Sequence, residues 1–260
     1  MELIDTHCHL TFEQLAGDVD AVVERSIAAG VTGWITVGTD SQENRRAVEL
    51  ANRFENMYAA VGVHPHEAKV VTGETITDLK ELAQNEKVVA VGETGLDFHY
   101  NFSKQPDQRR AFAAQLKIAR QVNLPVIVHC REAFADTMDI LEQFIRLEGR
   151  LPGVVFHCFS GSAEQARIVL DYGFYISLTG VVTFKNAEEI RRAAEIVPTD
   201  RLMLETDCPY MSPEPMRKQK INEPALMIHT ARRLAELKEM DPTDFAEAVT
   251  ATSKSFFDLP

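Results

Sequence analysis

Three short stretches put a histidine where an apolar, strand-like run ends. "LIDTHCHL" closes on His7 and His9, "LPVIVHCRE" on His129 and "GVVFHCFSGS" on His157. Other runs end the same way, on His64, on Glu93 in "VVAVGETGLD", and on Glu205 and Asp207 in "LMLETDCPY". Neutral imidazole suits zinc, manganese and related ions, and carboxylates neutralise or bridge cations. His7, His9, His129 and His157 with Glu93 and Asp207 supply six ligands, enough for two divalent ions with open positions. The chemistry such a set offers is hydrolysis by a metal-activated water. One such histidine alone reads as a hydrogen-bonded core or loop residue. A whole set at strand ends does not.

Positioning those side chains requires elements that bring strand ends together. Eight strand-like runs are legible: Leu3 to His7, Thr32 to Val37, Tyr58 to His64, Val88 to Glu93, Pro125 to His129, Val154 to His157, Phe174 to Leu178 and Leu202 to Asp207. Amphipathic stretches alternate with them: Ala21 to Ala29, Ser41 to Arg53, Arg110 to Gln121, Ala133 to Arg146, Ala163 to Tyr172 and Ala187 to Ile196. Glu223 to Lys238 and Phe245 to Phe256 follow the last strand. Eight such units predict a parallel (β/α)8 TIM barrel in one domain spanning 1–260, whose active site lies at the C-terminal strand ends. His7 and His9, two apart and about 6.6 Å between Cα atoms on an extended strand, share the inward face with Asp5. The same phase turns Glu205 and Asp207 inward.

The composition fits this reading and excludes others. The 260 residues are 45% hydrophobic and 25% charged, as in ordinary globular domains. No run approaches a membrane span and the first residues lack a signal peptide's pattern, which predicts a cytoplasmic protein. A formal charge of −12 argues against broad adhesion to nucleic acid or anionic lipid but permits a local cationic site. No obligate protein partner is evident. All four cysteines, Cys8, Cys130, Cys158 and Cys208, directly follow a candidate ligand. A thiolate zinc site would need the opposite phase, driving His, Asp and Glu into the apolar layer between barrel and helices at a cost of several kcal/mol each. Buried free thiols, without disulfides, are the expectation.

"IDTHCHL", "GVHPH", "GETGLD", "PVIVHCRE", "HCFSGS" and "ETDCPY", in that order, closely resemble the TatD family of metal-dependent deoxyribonucleases, within the amidohydrolase superfamily of barrels. The resemblance runs from Ile4 into the C-terminal helices. It implies that His7, His9 and Glu93 hold one metal and that Glu93, His129 and His157 hold a second, with Glu93 bridging. It further implies that Asp207 contacts the first metal and orients or deprotonates the attacking water, and that His64 meets substrate phosphate. Zinc is the ion expected to be bound, with magnesium or manganese as alternatives in catalysis. The implied activity is exonucleolytic hydrolysis of single-stranded DNA from the 3′ end. Many amidohydrolases bridge their metals with a carbamylated lysine, whereas the fourth strand here offers Glu93.

Other residues carry weaker readings. Glu205 is a catalytic-site or substrate-contacting carboxylate, or a structural one paired with a nearby base. Arg131 shares the face of His129 and reads as a phosphate clamp, or else as a partner of Glu132. Arg217, Lys218 and Lys220 in "MRKQK" follow the last strand and read as contacts to a single strand, or as solvated surface. His66, His99 and His229 are expected in solvent, and Asp97 in a structural role. No aromatic-rich stacking platform is evident, although Phe102, Phe159 and Tyr210 could line the mouth. Gly92 and Gly95 lack the spacing of a dinucleotide or Walker fingerprint and are expected to turn the chain beside Glu93. Two rival functions share these ligands: hydrolysis of an ester, lactone or amide, and metal or nucleic-acid binding without catalysis.

Overall fold

The structure is a computed structural model and describes residues 2–260. Its strands are β1 (Leu3–Cys8), β2 (Val31–Val37), β3 (Met57–Val61), β4 (Val88–Asp97), β5 (Val126–Arg131), β6 (Val154–Phe156), β7 (Tyr175–Leu178) and β8 (Leu202–Leu204). The α-helices are α1 (Glu13–Ala16), α2 (Val19–Ala29), α3 (Ser41–Ala51), α4 (Gly73–Leu82), α5 (Gln105–Val122), α6 (Phe134–Glu148), α7 (Ala163–Asp171), α8 (Glu188–Ile196), α9 (Met227–Leu237) and α10 (Pro242–Phe257). The strands form one sheet in chain order, parallel where their register is defined. Thr6 Oγ1 donates to Leu204 O at 3.0 Å and the Asp207 N–H to His7 O at 2.9 Å, which joins the first strand to the last. This is the (β/α)8 barrel that the alternation predicts.

By internal contacts the chain divides into two compact units. One comprises the segment up to Thr36 together with Cys158–Pro260. In it Leu3, Ile35, Ile176, Met203 and Leu204 are buried on the strands, and Phe245, Val249 and Phe257 of α10 are buried on the helical side. The other, Val37–His157, carries β3 to β6 and buries Met57, Ala60, Ile127, Phe112, Leu116 and Leu141. Strands covered on both faces read as unbroken apolar runs, and each fully buried Leu, Ile or Phe contributes about 1.5–3 kcal/mol.

Helix starts are written locally. Asp40 accepts from the Gln42 and Glu43 N–H groups at 2.7 and 2.9 Å, capping α3. Ser162, the last residue of "HCFSGS", forms a reciprocal capping box with Gln165 and starts α7 directly after the His157 loop. Such a cap stabilises a helix by about 1 kcal/mol. Among the described residues no helix is long and apolar enough to cross a membrane.

Several strand ends differ from expectation: β3 stops at Val61, short of His64, and β6 at Phe156, short of His157, while β5 runs on to Arg131. β4 runs through "GETGLD" to Asp97 and is buried along its whole length. Gly92 and Gly95 are therefore not turn residues. A Cβ on Gly92 would lie 2.7 Å from Ile127 Cβ, and one on Gly95 would collide with the His129 carbonyl, so both glycines let β4 press against β5. β8 is shorter than expected and ends at Leu204, leaving Glu205 and Asp207 in the following loop.

Candidate metal sites

In the first unit, β1 carries one extra residue where it nears its ligands. Asp5 pairs with Trp34 and Cys8 with Thr36, three steps on β1 against two on β2. Such irregularities re-aim side chains. His7 and His9 then bring their Nε2 atoms to 3.3 Å from each other, and Asp207 Oδ1 stands 3.4 Å from His9 Nε2 and 3.9 Å from His7 Nε2. A tetrahedral ion with bonds of about 2.0–2.1 Å sets neighbouring donors about 3.3–3.4 Å apart. The donor set and spacing fit such a cation. The His9 ring lies flat on Phe12, 4.4 Å between centroids and 11° between planes, which fixes its orientation.

Asp207 is held in place by its backbone. Its φ of 52° is left-handed, a conformation that costs about 1–3 kcal/mol for a residue other than glycine and persists only where surroundings enforce it. The enforcement is visible. Asp207 N–H donates to His7 O at 2.9 Å and His9 N–H to Cys208 O at 2.8 Å. Buried Asp5 accepts from the Thr206 N–H at 2.9 Å, the Thr206 hydroxyl at 2.6 Å and the His7 N–H at 3.3 Å. Burial pushes the Asp5 carboxyl up to about 7 against the lowering effect of these donors. Asn222 Nδ2 donates to Thr206 O at 3.1 Å and to Tyr210 O at 2.7 Å, tying down the loop beyond.

Glu205 is buried, and its oxygens accept from the Ser177 hydroxyl and the Cys158 N–H. Its visible work is to fix the backbone after β6, where Cys158 has a φ of 44°.

In the second unit Glu93 lies in a similar irregularity, between the Val91–Val126 and Thr94–Val128 pairs. Its Oε1 is 2.7 Å from His129 Nδ1, 2.7 Å from His157 Nε2 and 3.5 Å from His64 Nε2. His129 Nδ1 and His157 Nε2 are 3.4 Å apart, again the spacing of two ligands on one ion. Burial alone would raise the Glu93 carboxyl, but the surrounding imidazoles outweigh it and hold Glu93 well below the usual carboxylate range.

Asp97 organises this cluster. Its Oδ2 meets His129 Nε2 and His66 Nε2 at 3.1 Å each, and its Oδ1 accepts the His99 and Tyr100 N–H groups at 3.1 and 2.9 Å. Burial opposes its ionisation, but these donors prevail and keep it well below the usual carboxylate range. His129 is thus flanked by carboxylates at both ring nitrogens. Burial lowers its basicity, but the bonds to Asp97 and Glu93 outweigh burial and raise it. A cation at Nδ1 would supply the positive charge that the ring otherwise draws from a proton, leaving Nε2–H to donate to Asp97. Asp97, for which the sequence predicts a structural role, fills it by facing two imidazoles, and its spacing of four from Glu93 on one strand is the signal that ties it to this cluster. His66, expected in solvent, is instead half-buried against Asp97.

His64 Nδ1 accepts the His66 N–H at 3.1 Å, so its proton sits on Nε2. Burial pulls its pKa down to about 4 despite Glu93, which makes it a neutral donor at neutral pH. That tautomer cannot ligate through Nε2, and it can donate to an oxyanion. Arg131 makes no pair with Glu132, which bonds His99 at 2.7 Å; its guanidinium lies over the Tyr100 ring at 4.7 Å. Arg217 stacks on Phe184 at 3.8 Å, and Lys218 and Lys220 are exposed beside it. Phe159, proposed for the mouth, is buried. Cys8 and Cys208 are buried thiols, and among the described residues no cluster able to hold a metal contains a cysteine. The thiolate alternative is therefore not realised.

The chain is similar to known proteins along nearly its whole length. The family described as TatD related DNase matches residues 4–258. A Bacillus subtilis (strain 168) protein named uncharacterized metal-dependent hydrolase YabD is 42% identical over 98% of both chains. The Escherichia coli (strain K12) protein named 3′-5′ ssDNA/RNA exonuclease TatD is 37% identical over 99% of both. Among solved structures, that of YjjV, a TatD homologue from Escherichia coli K12, superposes with a TM-score of 0.90 at 31% identity, covering 99% of this chain and 98% of its own.

Proposed function

The chain belongs to the TatD-related DNase family, and on that premise we propose that it is a metal-dependent nuclease that hydrolyses phosphodiester bonds of single-stranded DNA from the 3′ end. The observation that carries this reading is the trio of His7, His9 and Asp207 donor atoms spaced as ligands of one cation. His7, His9 and Asp207 would hold one divalent ion, and Glu93, His129 and His157 a second. Their nitrogen-rich donor sets favour zinc, with magnesium or manganese as alternatives in turnover. When bound, such ions lower the pKa of a water and polarise the phosphoryl oxygen.

The chain's own residues do the rest. Asp207, whose side chain is 13% exposed, orients the attacking water and accepts its proton. Asp97 fixes the His129 ring so that Nδ1 faces Glu93. His64 donates its Nε2–H to a phosphoryl oxygen, and Glu205 holds the loop at Cys158. Arg131 and the exposed Arg217, Lys218 and Lys220 receive backbone phosphates of the strand. We read residues 1–260 as one hydrolase domain that works in the cytoplasm, with nucleic acid as its partner and no obligate protein partner. The polarity is supported by the name of the Escherichia coli relative.

The test is to strip the protein of metal, add back zinc, magnesium and manganese singly, and map products from 5′- and 3′-labelled single-stranded DNA and RNA. Stepwise shortening from the 3′ end is expected. Cleavage of an ester and lactone panel, with oligonucleotides left intact under every ion, would replace this reading with the amidohydrolase one.

A further inference from the structure

The loop after β4 exposes two large aromatic rings beside the Glu93 cluster. Tyr100 and Phe102 are 48% and 59% exposed, yet their rings stack in parallel, 5.3 Å between centroids and 11° between planes. His66 sets its ring edge-on to both, at 4.8 Å from Phe102 and 5.6 Å from Tyr100. Arg131 lies over Tyr100 at 4.7 Å. The pair is not legible as a stacking platform in the sequence because Tyr100 and Phe102 are separated by Asn101, whose left-handed φ of 52° brings the two rings together.

This loop is built to hold its rings still. The Tyr100 N–H is fixed by Asp97 at 2.9 Å. The Ser103 hydroxyl donates to His66 O at 2.6 Å and accepts the Lys69 N–H at 3.0 Å, and Gln108 Nε2 donates to Ser103 O at 2.8 Å. Phe102 therefore sits between anchored neighbours without being buried. A rigid, exposed aromatic pair gains nothing for the fold that burial would not give better. It is preorganised for a flat apolar partner. The surrounding cations specify what that partner carries: Arg131, Lys69 and Lys104 are all exposed, and Arg131 makes no ion pair among the described residues. Planar aromatic groups spaced by negative charges are the chemistry of an unpaired nucleic-acid strand.

We propose that Tyr100 and Phe102 form a stacking platform for one unpaired nucleobase of the substrate strand, with Arg131 on a phosphate beside it. This deepens the nuclease reading and rests on it. One residue, His66, spans from the platform to Asp97 and so to His129, which places the stacked base within a nucleotide or two of the scissile bond.

The experiment measures binding of fluorescein-labelled single-stranded DNA by anisotropy, using the metal-loaded protein, with cleavage of the same oligonucleotide followed separately. Phe102→Ala should weaken binding about 5- to 150-fold, the range for losing one base–aromatic stack, and Phe102→Trp should restore it. An abasic site scanned along the oligonucleotide should weaken binding to the wild type by a similar factor at one position and add little to Phe102→Ala at that position. Circular dichroism and thermal melts verify that the variants fold. Wild-type affinity in Phe102→Ala, an abasic penalty that is undiminished in that variant, or a wild type that binds no oligonucleotide would each overturn the platform. Absence of cleavage despite the predicted binding pattern would instead overturn the nuclease reading and leave the platform standing.

Discussion

Replacing Asp97 by asparagine tests the tautomer logic of the Glu93 cluster, because the substitution keeps the shape and changes one donor pattern. Asp97 Oδ1 accepts two backbone N–H groups and Oδ2 faces two imidazole nitrogens. An asparagine must keep its carbonyl on the backbone side, so its NH2 turns toward His129 Nε2. That ring can then accept at Nε2 only by moving its proton to Nδ1, the atom that faces Glu93 and a cation. Loss of such an orienting carboxylate costs about 10- to 100-fold in metal affinity, or about 1.4–2.7 kcal/mol at 1.36 kcal/mol per tenfold. Asp97→Ala leaves room for a water that can still accept from Nε2–H. Asparagine should therefore bind zinc more weakly than alanine, although alanine is the larger deletion. The assay is chelator-competition titration of metal-stripped protein, with thermal melts to separate affinity from stability. Equal zinc affinity in the wild type and Asp97→Asn would refute the reasoning; an alanine variant weaker than the asparagine one would refute its tautomer component.

Further outcomes follow from other observations. Asp207→Asn should lower turnover by about 10²- to 10⁴-fold while anisotropy shows single-stranded DNA still bound; unchanged turnover would remove the proposed base. Asp5 has a folded-state pKa raised to about 7 from 3.8, so between those values the folded protein holds a proton that the unfolded chain has released, and stability should fall as pH rises through that window. At about 1.36 kcal/mol per unit the loss is on the order of 1–4 kcal/mol relative to Asp5→Asn, read by urea melts of metal-free protein at pH 4 to 8. His129 needs its neutral ring to bind a cation, and its raised basicity predicts that zinc affinity keeps climbing with pH above the value for a free imidazole. Gly95→Ala should destabilise by more than about 1 kcal/mol through the collision with the His129 carbonyl, visible as a lowered denaturation midpoint.

The sequence exposed the candidate ligands because each polar group interrupts a strand-like run that has no other reason to end there: His7 after "LIDT", His129 after "PVIV", His157 after "VVF". The barrel was legible for the same reason, since those runs recur with helical stretches between them. What stayed hidden depends on contacts far apart in the chain. Gly92 and Gly95 look like turn residues until β5 is seen pressed against them. Asp207 reads as the end of a strand, but Asp5 captures the Thr206 backbone 201 positions away and the chain turns left-handed instead. The contacts of Asp97 with the His129 and His66 rings depend on which ring nitrogens face it. The tautomer of His64, fixed by one local hydrogen bond from the His66 N–H, was equally out of reach of the sequence.

The stitching of His7 and His9 to Asp207 and Cys208 also bears on the order in which a nascent chain matures. Every donor of the Glu93 cluster has left the ribosome once His157 has emerged, whereas the His7 cluster waits for Asp207. At about 5–20 residues per second, the roughly 50 residues between them take some 3–10 s to synthesise. Throughout that interval His7 and His9 stand without the carboxylate of Asp207, so this cluster closes only after the Glu93 cluster has all its members.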